Sequence, residues 1–450
     1  MNIDELATKY DLRIPRYTSY PTAPHFQPVE NDSQYRDWLG TLDRATRPSL
    51  YVHIPFCDSM CWFCGCYTKI VKRHEPVMDY VSSVLAEIAL VAKQIPETLD
   101  ARHLHFGGGS PTMMTPDEFA HVIGTVGQHF DIGGDAEIAV ELDPRTATAD
   151  YVAGLAKAGV NRASIGVQDF DDKVQQAINR IQPFDVTKRV VEWLNANGIN
   201  RINMDLMYGL PHQTTELVLD MVDKAVTLNP VRFALFGYAH VPWMKSHMKM
   251  IHEEDLPDTV ARWHQYEAAS ARLQEHGYLP VGLDHFARPD DELAVALVED
   301  RLHRNFQGYT TDEAQVMIGF GASAIGQLDQ GFTQNKLPLK DYRNDVAEGR
   351  LPVGKMLAFQ GDDKLRGALI EELMCSLSVD VDAVAAKFGG NAADYDPDLE
   401  KLLPLREDGL LTIEGRKVTV TEPGRALVRL AATVFDAYLE KGQKRHSKAV

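Results

Sequence analysis

Four of the five cysteines, Cys57, Cys61, Cys64 and Cys66, lie within one stretch of ten residues, and only Cys375 lies elsewhere. Soft thiolate donors this close together indicate a single metal centre. A structural zinc site commonly needs a second pair of ligands a dozen or more residues away, and no such pair follows here. The C-x-x-x-C-x-x-C spacing suits a 4Fe-4S cluster in which three irons take cysteine ligands and the fourth is open.

An open iron can chelate the amino and carboxylate groups of S-adenosylmethionine, and an electron from the cluster can then cleave that molecule to a 5′-deoxyadenosyl radical. At this point the sequence resembles the radical SAM superfamily. A zinc or disulfide loop remains the alternative for the cysteines. Cys66, outside the three-cysteine spacing, is either a small buried side chain beside the cluster or a thiol near the substrate.

The residues on both sides of the cysteine loop narrow the resemblance. Tyr51-Val52-His53-Ile54-Pro55-Phe56 runs directly into the loop, and Gly65-Cys66 ends it. Together they resemble the oxygen-independent coproporphyrinogen III oxidases. The resemblance implies that a propionate β-carbon loses hydrogen and carbon dioxide leaves, so that two propionates of coproporphyrinogen III become vinyl groups and protoporphyrinogen IX results. It also implies one or two S-adenosylmethionine molecules, an external reductant and an electron acceptor.

Short apolar segments alternate with longer amphipathic ones after residue 50, which predicts six strand–helix units. Such alternation indicates a parallel sheet, and six units favour an α/β fold with a partial (β/α)6 TIM-like barrel that stays open. Chemistry in such barrels takes place at the carboxyl ends of the strands. The predicted strands are Leu50 to Pro55, His103 to Phe106, Ile138 to Leu142, Arg162 to Val167, Ile202 to Met207 and Phe233 to Tyr238.

Residues at these strand ends match positions at which the family contacts S-adenosylmethionine. Ser110 stands where the family usually has threonine, and Glu141 is expected to be a buried acid unless it forms a loop salt bridge. Arg180 could instead form a surface ion pair, and Ile325 could be a core residue. The implied contacts are Tyr51, Phe63, Gly108, Gly109, Ser110, Glu141, Gln168, Arg180, Asp205, Ala239 and Ile325.

The segments outside the barrel suggest further units. Residues 1–45 predict an extended N-terminal arm that is no core element; it covers the barrel mouth as a flap with Arg13 and Arg16 facing carboxylates, or is only a tether. Residues 46–285 form the barrel, and 286–355 add strands and a connection. Residues 356–450 predict a mostly helical, winged-helix-like domain, with a hairpin around Glu414-Gly415-Arg416 and a closing helix from Arg425 to Glu440.

Composition limits the classes of function. The 450 residues carry a formal charge of −18, which disfavours nucleic acid and anionic membranes as partners. The N-terminus lacks a targeting pattern and no long apolar run occurs, so we expect a cytoplasmic monomer without membrane insertion. Two alternatives to the oxidase remain, a heme chaperone of the same superfamily and a heme-degrading radical methyltransferase. Cys66 and the long arm argue against the chaperone.

Overall fold

The computed structural model of the chain describes residues 3–439; the final residues 440–450 of the predicted C-terminal domain lie outside this range. Six parallel strands pair in sequence order at the centre of one large sheet, which confirms the predicted strand order. The strands are β1 (Ser49–Ile54), β2 (Asp100–Gly108), β3 (Asp131–Leu142), β4 (Arg162–Gln168), β5 (Arg201–Tyr208) and β6 (Arg232–Gly237).

Helices that lie between and after these strands in the chain cover the outside of the sheet. They are Glu75–Ala92, Pro116–His129, Ala149–Ala158, Asp172–Ala177, Phe184–Ala196, Thr215–Thr227 and Thr259–Glu275. The start of Pro116–His129 shows how locally these elements are specified. The Thr115 hydroxyl accepts a hydrogen bond from the Glu118 backbone N–H, and the Glu118 carboxylate accepts one from the Thr115 N–H.

The sheet continues beyond the six strands on both sides. Met317–Phe320 pairs in parallel with β1. Antiparallel strands follow it in the order Ile325–Leu328, Gly331–Asn335, Val353–Ala358 and Gln27–Pro28, while His285–Ala287 and Leu279–Val281 extend the other edge beyond β6. Within residues 3–439 the two outermost strands do not pair with each other, so the barrel is open, as predicted.

The N-terminal arm is more deeply embedded than predicted. Its short helix Ile3–Lys9 packs on Thr259–Glu275. Because several of its side chains are buried in the main core, the expectation that the arm is no core element is wrong. These side chains are Leu6, Tyr10, Ile14, Tyr17 and Tyr20. Aromatic side chains at irregular spacing show no periodicity in sequence, yet they fill the gap between barrel and C-terminal region.

The C-terminal region contains helices and a small antiparallel sheet. Helix Asp363–Ser376 leads into a sheet whose strand order is Ser378–Asp380, Lys417–Val420 and Leu411–Glu414, so the predicted hairpin is present. The predicted closing helix is much shorter, since only Val428–Ala432 is α-helical. Here the Tyr438 N–H bonds the Asp436 side chain at 2.8 Å, a local turn that competes with helix; Glu440 lies outside the described residues.

The remaining elements are short and connect these units. The helices among them are Ser33–Leu39, Glu292–Val298, Leu339–Ala347, Val381–Lys387, Asp396–Glu400 and Leu403–Glu407. Two small strand pairs join Phe56–Cys57 to Lys69–Ile70 and His303–Asn305 to Gly308–Thr310. No helix among the described residues is long and apolar enough to cross a membrane.

Candidate active site

The cysteine loop lies at the carboxyl end of β1. Cys57 belongs to the short strand that pairs with Lys69–Ile70, and its sulfur accepts a hydrogen bond from the Thr68 hydroxyl at 3.2 Å. Burial raises the pKa of Cys57 to about 12. A thiolate at this position therefore needs a positive centre beside it, and a metal ligated by the sulfur supplies one.

Two arginines flank the second cysteine. Arg145 and Arg180 each direct a guanidinium N–H to the Cys61 sulfur at 3.6 Å. Burial alone would raise the pKa of Asp143, but its ion pairs with Arg180 and Arg145 hold that pKa at about 2. The ion pair foreseen as the alternative for Arg180 is thus present, but it is buried and lies beside the cysteine loop instead of on the surface.

The end of the loop is held by backbone contacts. His247 donates from Nε2 to the Cys64 carbonyl at 2.8 Å, and Lys245 donates to the Cys66 carbonyl at 3.1 Å. A hydrogen bond from Cys66 lowers the pKa of Cys64 to about 6. Cys66 itself is exposed toward a cavity, which contradicts its interpretation as a buried packing residue.

The donor set fits a cluster better than a single ion. No three His, Cys, Asp or Glu groups among residues 3–439 are placed to hold one metal ion. In a 4Fe-4S cluster each cysteine binds a different iron, so the three sulfurs need not meet at one point. The three cysteines stand on one short loop, and the N–H groups of Arg145 and Arg180 point at the Cys61 sulfur.

The glycine segment after β2 lies against the cysteine loop. The Gly109 N–H bonds the Ile54 carbonyl at 2.9 Å and the Ser110 N–H bonds the Phe56 carbonyl at 2.7 Å. Gly108 has a φ of 116°, and a Cβ there would lie 2.6 Å from the His53 ring. Only glycine permits this approach. The Ser110 hydroxyl is buried and pairs with Thr112 Oγ1 at 2.8 Å.

Glu141 lies opposite the glycine segment. One carboxylate oxygen accepts the Gly108 N–H at 3.1 Å, and the other lies 3.4 Å from His105 Nε2. Its side chain is 43% exposed, so the expectation of a buried acid is wrong. The cause is strand alternation: Val140 and Leu142 point into the core, whereas Glu141 points into the open barrel.

An aromatic group completes this corner of the site. The Tyr51 ring stacks on His105 with ring centroids 5.9 Å apart, and its hydroxyl donates to His53 Nδ1 at 3.0 Å. His53 Nε2 donates to the Tyr67 carbonyl at 3.2 Å. These two partners define the tautomer of His53 and position Tyr51 beside Glu141.

The remaining predicted contacts spread around the barrel mouth. Asp205 accepts hydrogen bonds from Asn203 at 2.8 Å and Ser164 at 3.3 Å, and burial together with the charge of Glu141 raises its pKa to about 7. Gln168 ends β4 with a φ of 70° at an irregularity in the strand pairing. Phe63 packs on an apolar cluster beside the loop, Ala239 lines the cavity, and Ile325 begins the strand after the Gly321 turn.

A network of hydrogen bonds around the buried carboxylate of Glu87 lies next to the end of β1. Glu87 accepts hydrogen bonds from the Tyr342 hydroxyl at 2.6 Å, the Gly321 N–H at 2.7 Å and the Asn335 amide at 2.6 Å. Tyr80 joins the same region, since its hydroxyl donates to the His53 carbonyl at 2.7 Å. Burial nevertheless raises the pKa of Glu87 to about 7.

A cavity of about 380 Å³ opens beside Cys66 between the barrel, the arm and the C-terminal region. Its charged lining consists of Arg16, Arg262, Arg304, Arg429 and Asp284. The Arg16 guanidinium also donates to the Gly237 carbonyl at 3.0 Å. Arg13 does not line this cavity; its guanidinium stacks on the Trp243 ring at 4.4 Å, so the two arm arginines are separated.

Comparison with known proteins identifies the family. A family model described as the radical SAM superfamily matches residues 51–225, and one described as the HemN C-terminal domain matches residues 359–427. The oxygen-independent coproporphyrinogen III oxidase of Bradyrhizobium diazoefficiens is 48% identical over 447 residues, covering 99% of each chain. The chain belongs to the oxygen-independent coproporphyrinogen III oxidases.

Other members of this oxidase family also match the chain over nearly its whole length. The Helicobacter pylori (strain 26695) enzyme of the same name is 38% identical and covers 99% of both chains. The solved structure of the coproporphyrinogen III oxidase HemN from Escherichia coli, described as a radical SAM enzyme, has a TM-score of 0.89 at 36% identity and covers 94% of this chain and 98% of that one. The chain is thus a radical SAM oxidoreductase, whose cofactors are a 4Fe-4S cluster and S-adenosylmethionine.

Sequence reasoning about this oxidase missed four charged residues of the cavity. Arg429 carried a usable signal, because it is the single charge in the otherwise apolar helix Val428–Ala432. Asp284 lies in the short segment from Gly282 to Ala287, whose pattern indicates a strand and a turn but no role for its carboxylate. Arg262 and Arg304 lie in polar surroundings in the sequence and carried no signal.

Proposed function

We propose that this oxidase converts two propionates of coproporphyrinogen III to vinyl groups, yielding protoporphyrinogen IX without molecular oxygen, as a cytoplasmic monomer. The observation that carries the proposal is the position of Cys66, which joins the cysteine loop to the arginine-lined cavity. A tetracarboxylate held in that cavity lies next to the radical chemistry. The chain's charge of −18 makes nucleic acid an unsuitable partner.

In this proposal Cys57, Cys61 and Cys64 hold the cluster. When bound, the cluster and S-adenosylmethionine supply one-electron chemistry that removes a hydrogen atom from a propionate β-carbon. Carbon dioxide then leaves, the vinyl double bond forms, and one electron passes to an outside acceptor. An external reductant must also reduce the cluster, and Arg145 and Arg180 position the Cys61 sulfur through their N–H groups.

The residues around the glycine segment bind S-adenosylmethionine in this proposal. Glu141 and the Gly108 backbone face the methionyl part, because both offer polar groups in the open barrel beside the cysteine loop. One S-adenosylmethionine or two are accommodated. The further contacts are Tyr51, Phe63, Gly109, Ser110, Gln168, Arg180, Asp205, Ala239 and Ile325.

Cys66 and Arg16 serve the substrate, whereas Arg13, predicted to do so as well, does not line the cavity. Cys66 exposes its thiol to the cavity, where it can exchange a proton or hydrogen atom with the substrate. Arg16 faces the same space, and Arg13 stands outside it against Trp243. The division into an arm (1–45), a barrel (46–285), added strands (286–355) and a C-terminal domain (356–450) belongs to the same proposal.

One experiment tests this function. The reconstituted protein is incubated anaerobically with coproporphyrinogen III, S-adenosylmethionine, reductant and an electron acceptor, and the products are separated by mass. We expect protoporphyrinogen IX and two carbon dioxide molecules for each substrate consumed. Heme binding without carbon dioxide release would instead indicate a chaperone, and a methylated tetrapyrrole would indicate a methyltransferase.

A further inference from the structure

The cavity beside Cys66 has a charge opposite to that of the chain. Its lining holds four arginines and one aspartate, although the whole chain carries −18. The arginines come from four distant segments: the arm, helix Thr259–Glu275, strand His303–Asn305 and helix Val428–Ala432. Convergence of four cations from separate segments on one space indicates a binding site for an anion with several charged groups.

Arg304 carries a donor that the described residues leave unsatisfied, although its Nε donates to the Tyr17 carbonyl at 3.3 Å. Burial, and next the charge of Arg16, lowers the pKa of Arg429 to about 10. Arg304 lies over the Tyr309 ring at 4.4 Å, and its Nη1 is buried without a hydrogen-bond partner among the described residues. Since an unsatisfied N–H on a buried cation is costly, an anionic ligand beside Arg304 would stabilise this arrangement.

Asp284 is the one carboxylate among the residues that line the cavity. Burial would raise its pKa, but a hydrogen bond from His285 Nδ1 at 2.7 Å and the charges of Arg304 and Arg16 hold the pKa at about 2. Asp284 is therefore ionised throughout the neutral range. Its Oδ1 is bonded to His285, and within residues 3–439 its Oδ2 accepts no hydrogen bond. The free oxygen is an acceptor for an N–H donor of a ligand.

We propose that the cavity recognises both kinds of polar group on a porphyrinogen: Arg16, Arg262, Arg304 and Arg429 bind its peripheral carboxylates, and Asp284 accepts hydrogen bonds from its central pyrrole N–H groups. The inference rests on the proposed function and adds the residues that select the substrate. A porphyrinogen carries four pyrrole N–H donors within a ring of acidic side chains. Four arginines around one permanent carboxylate match that pattern of charge.

Equilibrium dialysis of the reconstituted enzyme with coproporphyrinogen III, without S-adenosylmethionine so that no turnover occurs, tests the arginines. Arg304→Gln, Arg262→Gln and Arg429→Gln should each weaken binding roughly ten- to a hundredfold, as expected for loss of one charge-assisted hydrogen bond. Arg301→Gln is the matched control, since Arg301 is 45% exposed, pairs with Glu299 and lies outside the cavity. Unchanged binding in all three cavity variants would overturn the inference.

The tetramethyl ester of coproporphyrinogen III is the second probe. The wild-type enzyme should bind it at least tenfold more weakly than the free acid, and the arginine variants should bind it as the wild type does. Equal affinity of the wild type for acid and ester would refute the carboxylate assignment. For a glutamine variant that fails to fold, the lysine variant at the same position retains the charge and should recover part of the binding.

Asp284→Asn tests whether Asp284 accepts the pyrrole N–H groups, because the two possible roles of Asp284 predict opposite changes in affinity for coproporphyrinogen III. If Asp284 were only a counter-ion for the arginines, its neutralisation would tighten binding of a polyanion. We expect roughly tenfold weaker binding of coproporphyrinogen III, because a charged acceptor is lost. Unchanged or tighter binding would reject this assignment. Product analysis tests the proposed function separately from the cavity assignment. If the wild-type enzyme forms the vinyl product but every cavity variant binds coproporphyrinogen III normally, only the cavity assignment is refuted.

Discussion

The cysteine loop and the arginine cavity meet at Cys66 but are built in opposite ways. The loop takes its three proposed ligands from residues 57–64 of the chain, whereas the charged lining of the cavity comes from residues 16, 262, 284, 304 and 429. Three thiolates on one loop suffice for a cluster that leaves one iron open. A large polyanion must be met from several sides, which no single segment can do. The proposed cluster ligands are thus close together in the sequence, whereas the residues that recognise the substrate come from distant segments.

The cysteines offer the largest expected effect. Replacing Cys57, Cys61 or Cys64 by serine should abolish the cluster, because each removes one of three thiolate ligands. Cys66→Ser is the matched control within the loop: it should keep the iron and lose decarboxylation. Iron content and the visible absorption band measure both effects. An intact cluster in Cys61→Ser would end the claim that the loop alone encodes the cofactor site.

Arg16 lines the cavity and Arg13 does not, so the two arginines of the arm test whether the substrate binds in the cavity. Arg16→Gln should raise KM for coproporphyrinogen III roughly ten- to a hundredfold, since one carboxylate partner in the cavity is lost. Arg13→Gln should change KM by no more than about fivefold, because Arg13 lies outside the cavity and its exposed cation–π contact is worth about 0.5 to 1 kcal/mol. Steady-state rates under anaerobic conditions give both values. A larger effect for Arg13 than for Arg16 would place the substrate outside the cavity.

Substitution of Glu141 tests the proposed S-adenosylmethionine site, which lies beside the cysteine loop. Glu141→Ala should weaken S-adenosylmethionine binding about ten- to a hundredfold through loss of a charge-assisted hydrogen bond, with iron content unchanged. Anaerobic titration calorimetry measures the affinity. Glu141→Gln retains an acceptor for the Gly108 N–H and should fall between alanine and wild type. Loss of iron with unchanged affinity would make Glu141 a structural residue of the cysteine loop.

Glu87 is expected to have the smallest effect on the reaction itself and to act on stability instead, because its carboxylate is buried away from the cysteine loop. Its pKa is raised to about 7 in the folded protein, so the folded state binds a proton more tightly than the unfolded chain does. Its contribution to stability is complete below about pH 4.5 and is lost as pH rises through 7, a difference of about 3 kcal/mol.

Glu87→Gln removes that titration. Urea unfolding at pH 5 and pH 8 should therefore show a smaller decrease in the free energy of unfolding for the variant than for the wild type. Glu75→Gln, on the same helix but exposed, is the control and should follow the wild type. Equal pH dependence in Glu87→Gln and wild type would show that Glu87 is ionised in the fold.

The same contrast explains what sequence could predict. The strand order, the cysteine spacing and the Gly108 turn are local patterns, and all appear in the structure where expected. Exposure of Glu141 was not predictable from its position in a strand, because the opposite face of β3 borders an open space instead of packed side chains. The grouping of Arg262, Arg304 and Arg429 depends on contacts between segments that are far apart in the chain, with Arg429 more than a hundred residues from the other two, so no local pattern predicts it.

The N-terminal arm is hydrogen-bonded to the C-terminal region. The Tyr17 hydroxyl donates to Asp436 at 3.0 Å, and the Tyr20 hydroxyl accepts the Ala437 N–H at 3.0 Å. During synthesis the arm leaves the ribosome long before these partners do. The cysteine loop is therefore exposed in the nascent chain long before Arg429 can complete the cavity. During translation there is thus a period in which the cysteines can receive the cluster while the substrate site is still incomplete.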